Sequence, residues 1–346
     1  MKKIFFVIVI CTVFFTFFGL DASAKEVKNM CVYGDSIPEG YGLENRADNF
    51  VNILAKEYGL EAGKSLFNYS VSGDESFGLI EQLHDTDDGI LRNADTVIIS
   101  IGGNDIMDTY GERLMYFANT YKKDLYRAGI KFQEYNPVSI LSQLSTAFFD
   151  AKKSEAIMNV FESASDEYTL GYYKKIVSMY EDNVKEAIAY IRDVGSEADI
   201  YLFALYDPMS VFPIDMPFFN SLHENIGVMH EYVLNLAEEN EKVYAVDVYS
   251  HFDGHYLEWT NILKFDIHPN KAGHWQLYSI TNNAIKDTAN ETKESFAESS
   301  TDIFESSFEV EIHENKDYIV WIIIGGMVLA AAVGALIIAL LKNSDK

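Results

Sequence analysis

The stretch Thr96-Val97-Ile98-Ile99-Ser100-Ile101 constrains this chain more than any other. A continuous β-branched run marks a strand covered on both faces, and such strands belong to parallel sheets walled by helices. The run stops at Gly102-Gly103-Asn104-Asp105. Two earlier runs behave alike: residues 27–33 stop at Gly34-Asp35-Ser36, and Phe67-Asn68-Tyr69-Ser70-Val71 gives way to Ser72-Gly73-Asp74. Residues 199–205 repeat the buried pattern and end at Tyr206-Asp207-Pro208, and residues 242–248 supply a fifth run. Helical periodicity fills the intervals at residues 48–58 (Asp48 as N-cap), 75–84, 221–239 and 271–286. Strands alternating with helices predict a three-layer α/β/α fold around a five-stranded parallel sheet. The three glycine-containing loops then converge on the carboxyl edge, where open α/β sheets bind their ligands.

The interval between the third and fourth strands exceeds what one crossover helix needs. It is expected to hold a helical insertion over about residues 106–184, rich in Tyr116, Phe117, Tyr121, Tyr126, Phe132, Tyr135, Phe148, Phe149 and Phe161. Aromatics at helical spacing serve either an apolar pocket over the sheet edge or the insertion's own core.

The remaining segments organise the chain around residues 25–289. Lys2 and Lys3, an apolar stretch and Ala22-Ser23-Ala24 give residues 1–24 the form of a secretory signal peptide. Residues 318–341 are apolar and uncharged, long enough to span a hydrocarbon core of ~30 Å. Tyr318 and Trp321 suit one interface, and Lys342 and Lys346 follow the other end in a cytoplasmic tail, residues 342–346. Residues 290–317 hold nine acids against two lysines with little apolar surface, the composition of a stalk that cannot fold alone. The expected product is exported and held at the cell membrane by a single C-terminal helix, with its domain outside.

The net charge is −26; residues 1–24 and 342–346 contribute +1 each, so the chain between them carries −28. Such a surface repels polynucleotides, which excludes nucleic acid as a partner. Of two cysteines, Cys11 lies in the signal and Cys31 in the first strand, so the exported domain has no internal disulfide.

Ser36, one residue past a strand end, is placed like a nucleophile. Together Gly34-Asp35-Ser36, Asn68-x-x-Val71-Ser72-Gly73-Asp74, Gly102-x-Asn104-Asp105 and His268-Pro269-Asn270-x-x-Gly273-His274 resemble, in order and rough spacing, the four blocks of the SGNH (GDSL-type) esterase and lipase family. The resemblance runs over about residues 27–286. It implies a flavodoxin-like α/β/α domain that hydrolyses carboxylic esters without a metal or organic cofactor. It further implies Ser36 as nucleophile, His268 as general base and acid, and an oxyanion hole made by the backbone N–H groups of Ser36 and Gly73 and the Asn104 amide. These roles suit the chemistry, because a serine alcohol needs a base at neutral pH and the tetrahedral intermediate needs donors for its negative oxygen.

One position departs from the pattern. The aspartate that usually stands three residues before the histidine is Phe265 here, and Asp266 stands two before His268. A one-residue shift on extended backbone turns a side chain to the other side. Asp266 is the favoured acid, reached through a local rearrangement; Asp253, a backbone carbonyl or a Ser-His dyad are the alternatives. His274 reads as helix packing rather than a metal ligand, His251 and His255 as surface residues, and Asp35 and Asp105 as braces of their loops. The expected substrate is a small-molecule, lipid or glycan ester, with fatty-acyl esters favoured over the O-acetyl groups of a cell-surface polysaccharide. A surface-binding module that retains the fold without the chemistry is a further reading.

Overall fold

A computed structural model describes residues 27–297, apart from 133–135, 149, 164–166, 212–216 and 265. In chain order, β1 (Met30–Gly34) leads into a short helix α1 (Ser36–Glu39), then α2 (Phe50–Tyr58), β2 (Leu66–Asn68), α3 (Ser76–His84), α4 (Asp88–Arg92) and β3 (Thr96–Ser100). Five helices follow: α5 (Gly103–Thr120), α6 (Lys122–Arg127), α7 (Pro137–Phe148), α8 (Ala151–Ser163) and α9 (Glu167–Asp193). The chain closes with β4 (Asp199–Phe203), α10 (Pro217–Glu239), β5 (Val243–Val246), α11 (Val248–Phe252), α12 (Tyr256–Trp259) and α13 (Lys271–Ala297).

The sheet is wholly parallel, in the order β2-β1-β3-β4-β5. Strand order reverses between β1 and β3, and that is where such sheets open a crevice for a ligand. Alternate residues face opposite layers. Cys31, Tyr33, Val97, Ile99, Ile200 and Leu202 pack with α3, α9 and α10, whereas Met30, Val32, Ile98, Tyr201 and Phe203 pack with α2 and α13. Each such side chain removed from water contributes roughly 1.5–3 kcal/mol before the entropy of ordering is subtracted.

The two strands at the switch point touch very closely. Gly34 pairs with Ser100 in register, and a Cβ on Gly34 would stand 2.0 Å from the Ser100 carbonyl oxygen. Its φ of 147° is also one that side-chain-bearing residues rarely adopt. Only glycine lets β1 approach β3 here and then turn Ser36 upward.

The insertion is not an island. Phe117, Leu125, Ile140, Leu144 and Ile157 belong to the same buried cluster as Val97 and Ile99, so these helices extend the domain core. Phe117 serves that core, Tyr121 and Phe132 pack half-buried against it, and Tyr116 and Tyr126 are exposed. Tyr135 and Phe149, and the side chains of Phe148 and Phe161, lie outside the described residues.

Several boundaries differ from expectation. The helix predicted from Asp48 starts at Phe50 because Asn49, not Asp48, accepts the Val51 N–H at 2.9 Å. β2 ends at Asn68, whose side chain turns to the Pro38 carbonyl and to the Ser70 N–H. β5 ends at Val246 because the Asp247 carboxylate caps α11 through the Ser250 N–H. The last helix runs to Ala297, past the start of the segment expected to form a stalk, with Leu277, Ile285 and Thr288 buried along it. The expected signal peptide, the rest of the stalk, the transmembrane helix and the tail fall outside the described residues. No described helix is long and apolar enough to cross a membrane.

Candidate active site

Ser36 opens a four-residue helix directly after β1 and is 8% exposed. Asp35 is its N-cap, accepting the Ile37 N–H at 2.9 Å, and the first N–H groups of any helix lack an intrahelical acceptor. The Asp35 carboxyl is buried, and that burial, reinforced by nearby Asp105 and Asp74, pushes it up to about 7 against the pull of the Ile37 N–H.

Ser36 Oγ lies 2.8 Å from His268 Nε2, although 232 positions separate the two residues. On the far side of the ring, His268 Nδ1 lies 2.5 Å from Asp266 Oδ1. The same Asp266 oxygen accepts the backbone N–H of His268 at 3.0 Å. The one-residue displacement of the acid is therefore met by a tight turn at His268, and a Ser-His-Asp line forms. Asp253 is exposed at the C-terminal cap of α11.

The turn is held from several directions. Asn261 N–H donates to the His268 carbonyl at 2.9 Å, Thr260 bridges to Pro269, and the Tyr206 hydroxyl donates to the Ile267 carbonyl at 2.7 Å. Asn270 then caps α13 by accepting the Ala272 and Gly273 N–H groups. Tyr41, half exposed, leans on the His268 ring with centroids 4.7 Å apart.

The other two blocks are tied to the segment that carries Ser36 and to each other. Gly73 has φ 91°, and a Cβ built there meets nothing within 4 Å, so its conformation rather than crowding by the protein demands glycine. Its neighbours are tied to the remaining blocks. The Asn104 amide donates to the Asp74 carbonyl at 2.7 Å, and the Ser72 hydroxyl donates to Glu39, the last residue of α1. Val71 N–H also donates to the Gly34 carbonyl at 3.0 Å. Asn104 sits in the first turn of α5, and Asp105 beside it accepts the Ser76 N–H and hydroxyl.

Three residues that motif reading passed over brace this arrangement. Gln82, buried, bonds both the N–H and the carbonyl of Gly34 and donates to the Asp74 carboxylate. Glu39 carries the Ser72 hydroxyl and the Arg46 guanidinium, and these hold its carboxyl below the usual range, the Ser72 bond foremost. Tyr206 is the third. None belongs to a short motif; the one available signal is that Tyr206 ends the fourth strand run, at the edge where the loops converge.

His274 is fully buried in α13 and accepts the Phe50 N–H through Nδ1 at 3.4 Å; burial, with His268 nearby, holds it down at about 4. Its ring stacks on that of Phe50, with centroids 6.1 Å apart. His251 faces Gln276 at 3.1 Å, half-buried, while His255 is exposed, and both stack on Trp259. Among the described residues no group of three or more His, Cys, Asp or Glu is assembled to hold a metal.

A sequence model of the GDSL-like Lipase/Acylhydrolase family matches residues 32–276, and the chain belongs to that family. Among solved structures, the chain is similar to a lipase from a goat rumen metagenome at 18% identity and TM-score 0.46, over 74% of this chain and 96% of that one. It is also similar to a mutant of an acetyl-xylooligosaccharide esterase from Geobacillus stearmophilus at 14% identity and TM-score 0.45, over 75% and 94%. A third likeness is to a psychrotrophic esterase from Pseudoalteromonas sp. at 17% identity and TM-score 0.38, over 76% and 99%. No curated protein matches the chain.

Proposed function

We propose that the protein is a serine esterase that cleaves carboxylic esters through an acyl-serine intermediate. The observation that carries this reading is the unbroken line from Ser36 Oγ through the His268 ring to the Asp266 carboxylate, at 2.8 and 2.5 Å. Ser36 Oγ attacks the ester carbonyl carbon as His268 Nε2 takes its proton. Asp266 keeps the other ring proton on Nδ1 and stabilises the imidazolium that forms. The carbonyl oxygen, now negative, accepts hydrogen bonds from the N–H groups of Ser36 and Gly73 and from the Asn104 amide. That amide carries two N–H bonds, so its bond to Asp74 leaves the other for the substrate. As the intermediate collapses, the C–O bond to the alcohol breaks and His268 returns the proton to the departing oxygen. Water then attacks the acyl-serine by the same route, releasing the acid and free Ser36.

The substrate we favour has an apolar acyl group. Tyr41, Val71, Phe77 and Leu263 are large apolar side chains left exposed on the segments that carry Ser36, Gly73 and Asp266. The signal-like composition of residues 1–24 and the apolar, uncharged run 318–341 support export and a membrane tether, and with them a substrate ester at the cell surface.

A fluorophosphonate probe and a series of p-nitrophenyl esters test the reading. The purified protein should take the label, Ser36→Ala should not, and turnover should rise from acetate toward medium-chain esters. Undiminished label in Ser36→Ala overturns the esterase. Activity on acetate alone points instead to removal of O-acetyl groups.

A further inference from the structure

Ile267 stands between the acid and the base, and its carbonyl oxygen is held by a side chain from the loop that follows β4. The Tyr206 hydroxyl reaches it at 2.7 Å across 61 positions of sequence. Tyr206 follows β4 and is 5% exposed, its ring fixed against Phe252 and Tyr256 with centroids at 5.1 and 6.3 Å. Burial, with the Asp35 and Asp266 carboxylates nearby, keeps this phenol well above its ordinary range, so it remains a donor throughout the range in which an esterase works.

The position of that carbonyl matters because of the shortened acid-to-base spacing. With one residue between them, Asp266 reaches the His268 ring only while the intervening peptide is turned so that one oxygen meets both the His268 N–H and Nδ1. The segment is neither helix nor strand. Asn261 holds its ends, through its N–H to the His268 carbonyl at 2.9 Å and its carbonyl to the Asp266 N–H at 3.4 Å. Tyr206 holds its middle. A carbonyl free to rotate would carry the adjoining His268 N–H with it, because the peptide is planar.

We infer that Tyr206 is a positioning residue, whose hydroxyl locks the Ile267 peptide and so keeps Asp266 on the His268 ring. The inference rests on the serine esterase reading. It assigns a role to the fourth strand's loop, which none of the four motif blocks includes.

Tyr206→Phe removes one oxygen and leaves the ring in its packing. Turnover should fall about 10- to 100-fold with KM within twofold, the scale of cost when reacting groups shift by a fraction of an ångström to one ångström. The decisive measurement is a double-mutant cycle on the rate of fluorophosphonate labelling, in which Asp266→Asn is made with and without Tyr206→Phe. Coupled residues give a much smaller cost for Asp266→Asn in the Tyr206→Phe background. Additive costs, a wild-type labelling rate in Tyr206→Phe, or loss of its folded circular dichroism spectrum overturns the inference, the last because the hydroxyl would then serve the fold instead of the site. A wild-type protein that takes no label defeats the esterase reading itself, and the two failures are thereby distinguished.

Discussion

A single oxygen of Asp266 accepts both the backbone N–H and the ring Nδ1 of His268, at 3.0 and 2.5 Å. An aspartate bonded to the N–H two residues on forms an Asx turn, a local motif that needs no regular secondary structure. The turn folds the acid back over the residue it serves, so a spacing that would point the two side chains apart on extended backbone brings them together. Asp266→Asn keeps the turn and removes the charge. It should lower kcat by about 10³–10⁴ while the melting temperature holds, as in other triads where the orienting carboxylate is neutralised. Steady-state kinetics beside a thermal melt checks this, and near-normal turnover would leave a Ser-His dyad.

Asn104→Ala should lower kcat by about 10²–10³, the usual cost of one oxyanion donor. The substitution also removes the bond to the Asp74 carbonyl, and with it one tie between the first turn of α5 and the Gly73 loop. Asn104→Asp loses both bonds too, because a carboxylate donates to neither an oxyanion nor a carbonyl, and it adds a negative charge where the oxyanion forms. It should be at least as damaging in kcat, as read with a soluble ester.

Glu39 joins the end of α1 to Ser72, one residue before Gly73, and Arg46 anchors it from outside with two bonds of 3.0 Å. Glu39→Ala frees the loop that presents the Gly73 N–H. The expected result is a fall in kcat of about 10-fold with little change in KM, since a misplaced donor affects the transition state more than binding. Arg46→Ala leaves the Ser72 bond in place and should cost less.

The pH dependence of stability carries two opposing contributions. Burial raises Asp35 from 3.8 to about 7, so between those values the folded protein holds a proton the unfolded chain has lost, and stability falls as pH rises. Burial lowers His274 from 6.5 to about 4, so over that interval the unfolded chain holds the extra proton and stability falls as pH drops. The slopes cancel across the overlap. Asp35→Asn retains the oxygen that accepts the Ile37 N–H but removes its titration. Relative to wild type, it should gain stability from pH 4 to 6.5 by an amount of roughly 3 kcal/mol. Urea midpoints at the two pH values measure the difference, and parallel pH curves for variant and wild type would refute it.

The layering was legible because buried parallel strands write themselves as unbroken apolar runs, and all five runs are strands. Their ends were not legible. Asn68 and Asp247 stop β2 and β5 through side-chain bonds to distant or following backbone, which hydrophobic pattern does not record. Ser36, Gly73, Asn104 and His268 stood out because each sits in a short motif at a loop. A local rearrangement that brings Asp266 onto His268 was expected, but its form was not legible, since it depends on one backbone hydrogen bond. Gln82, Glu39 and Tyr206 were missed for a related reason: each acts across a long sequence separation and carries no periodic signature.

Asn104 and Asp105 lie in the first turn of the helix that leads into the insertion, while Asn183, near its exit in α9, donates to the same Ser76 hydroxyl that Asp105 accepts at 2.5 Å. The intervening helices are thus bolted to one serine at both ends. Both ends of the insertion are thereby tied to α3, and the entry tie is made by the residue next to Asn104. Replacing the helices between residues 106 and 184 would therefore remove the Asn183 bond to Ser76 and disturb the footing of Asn104 even where the site itself is left untouched.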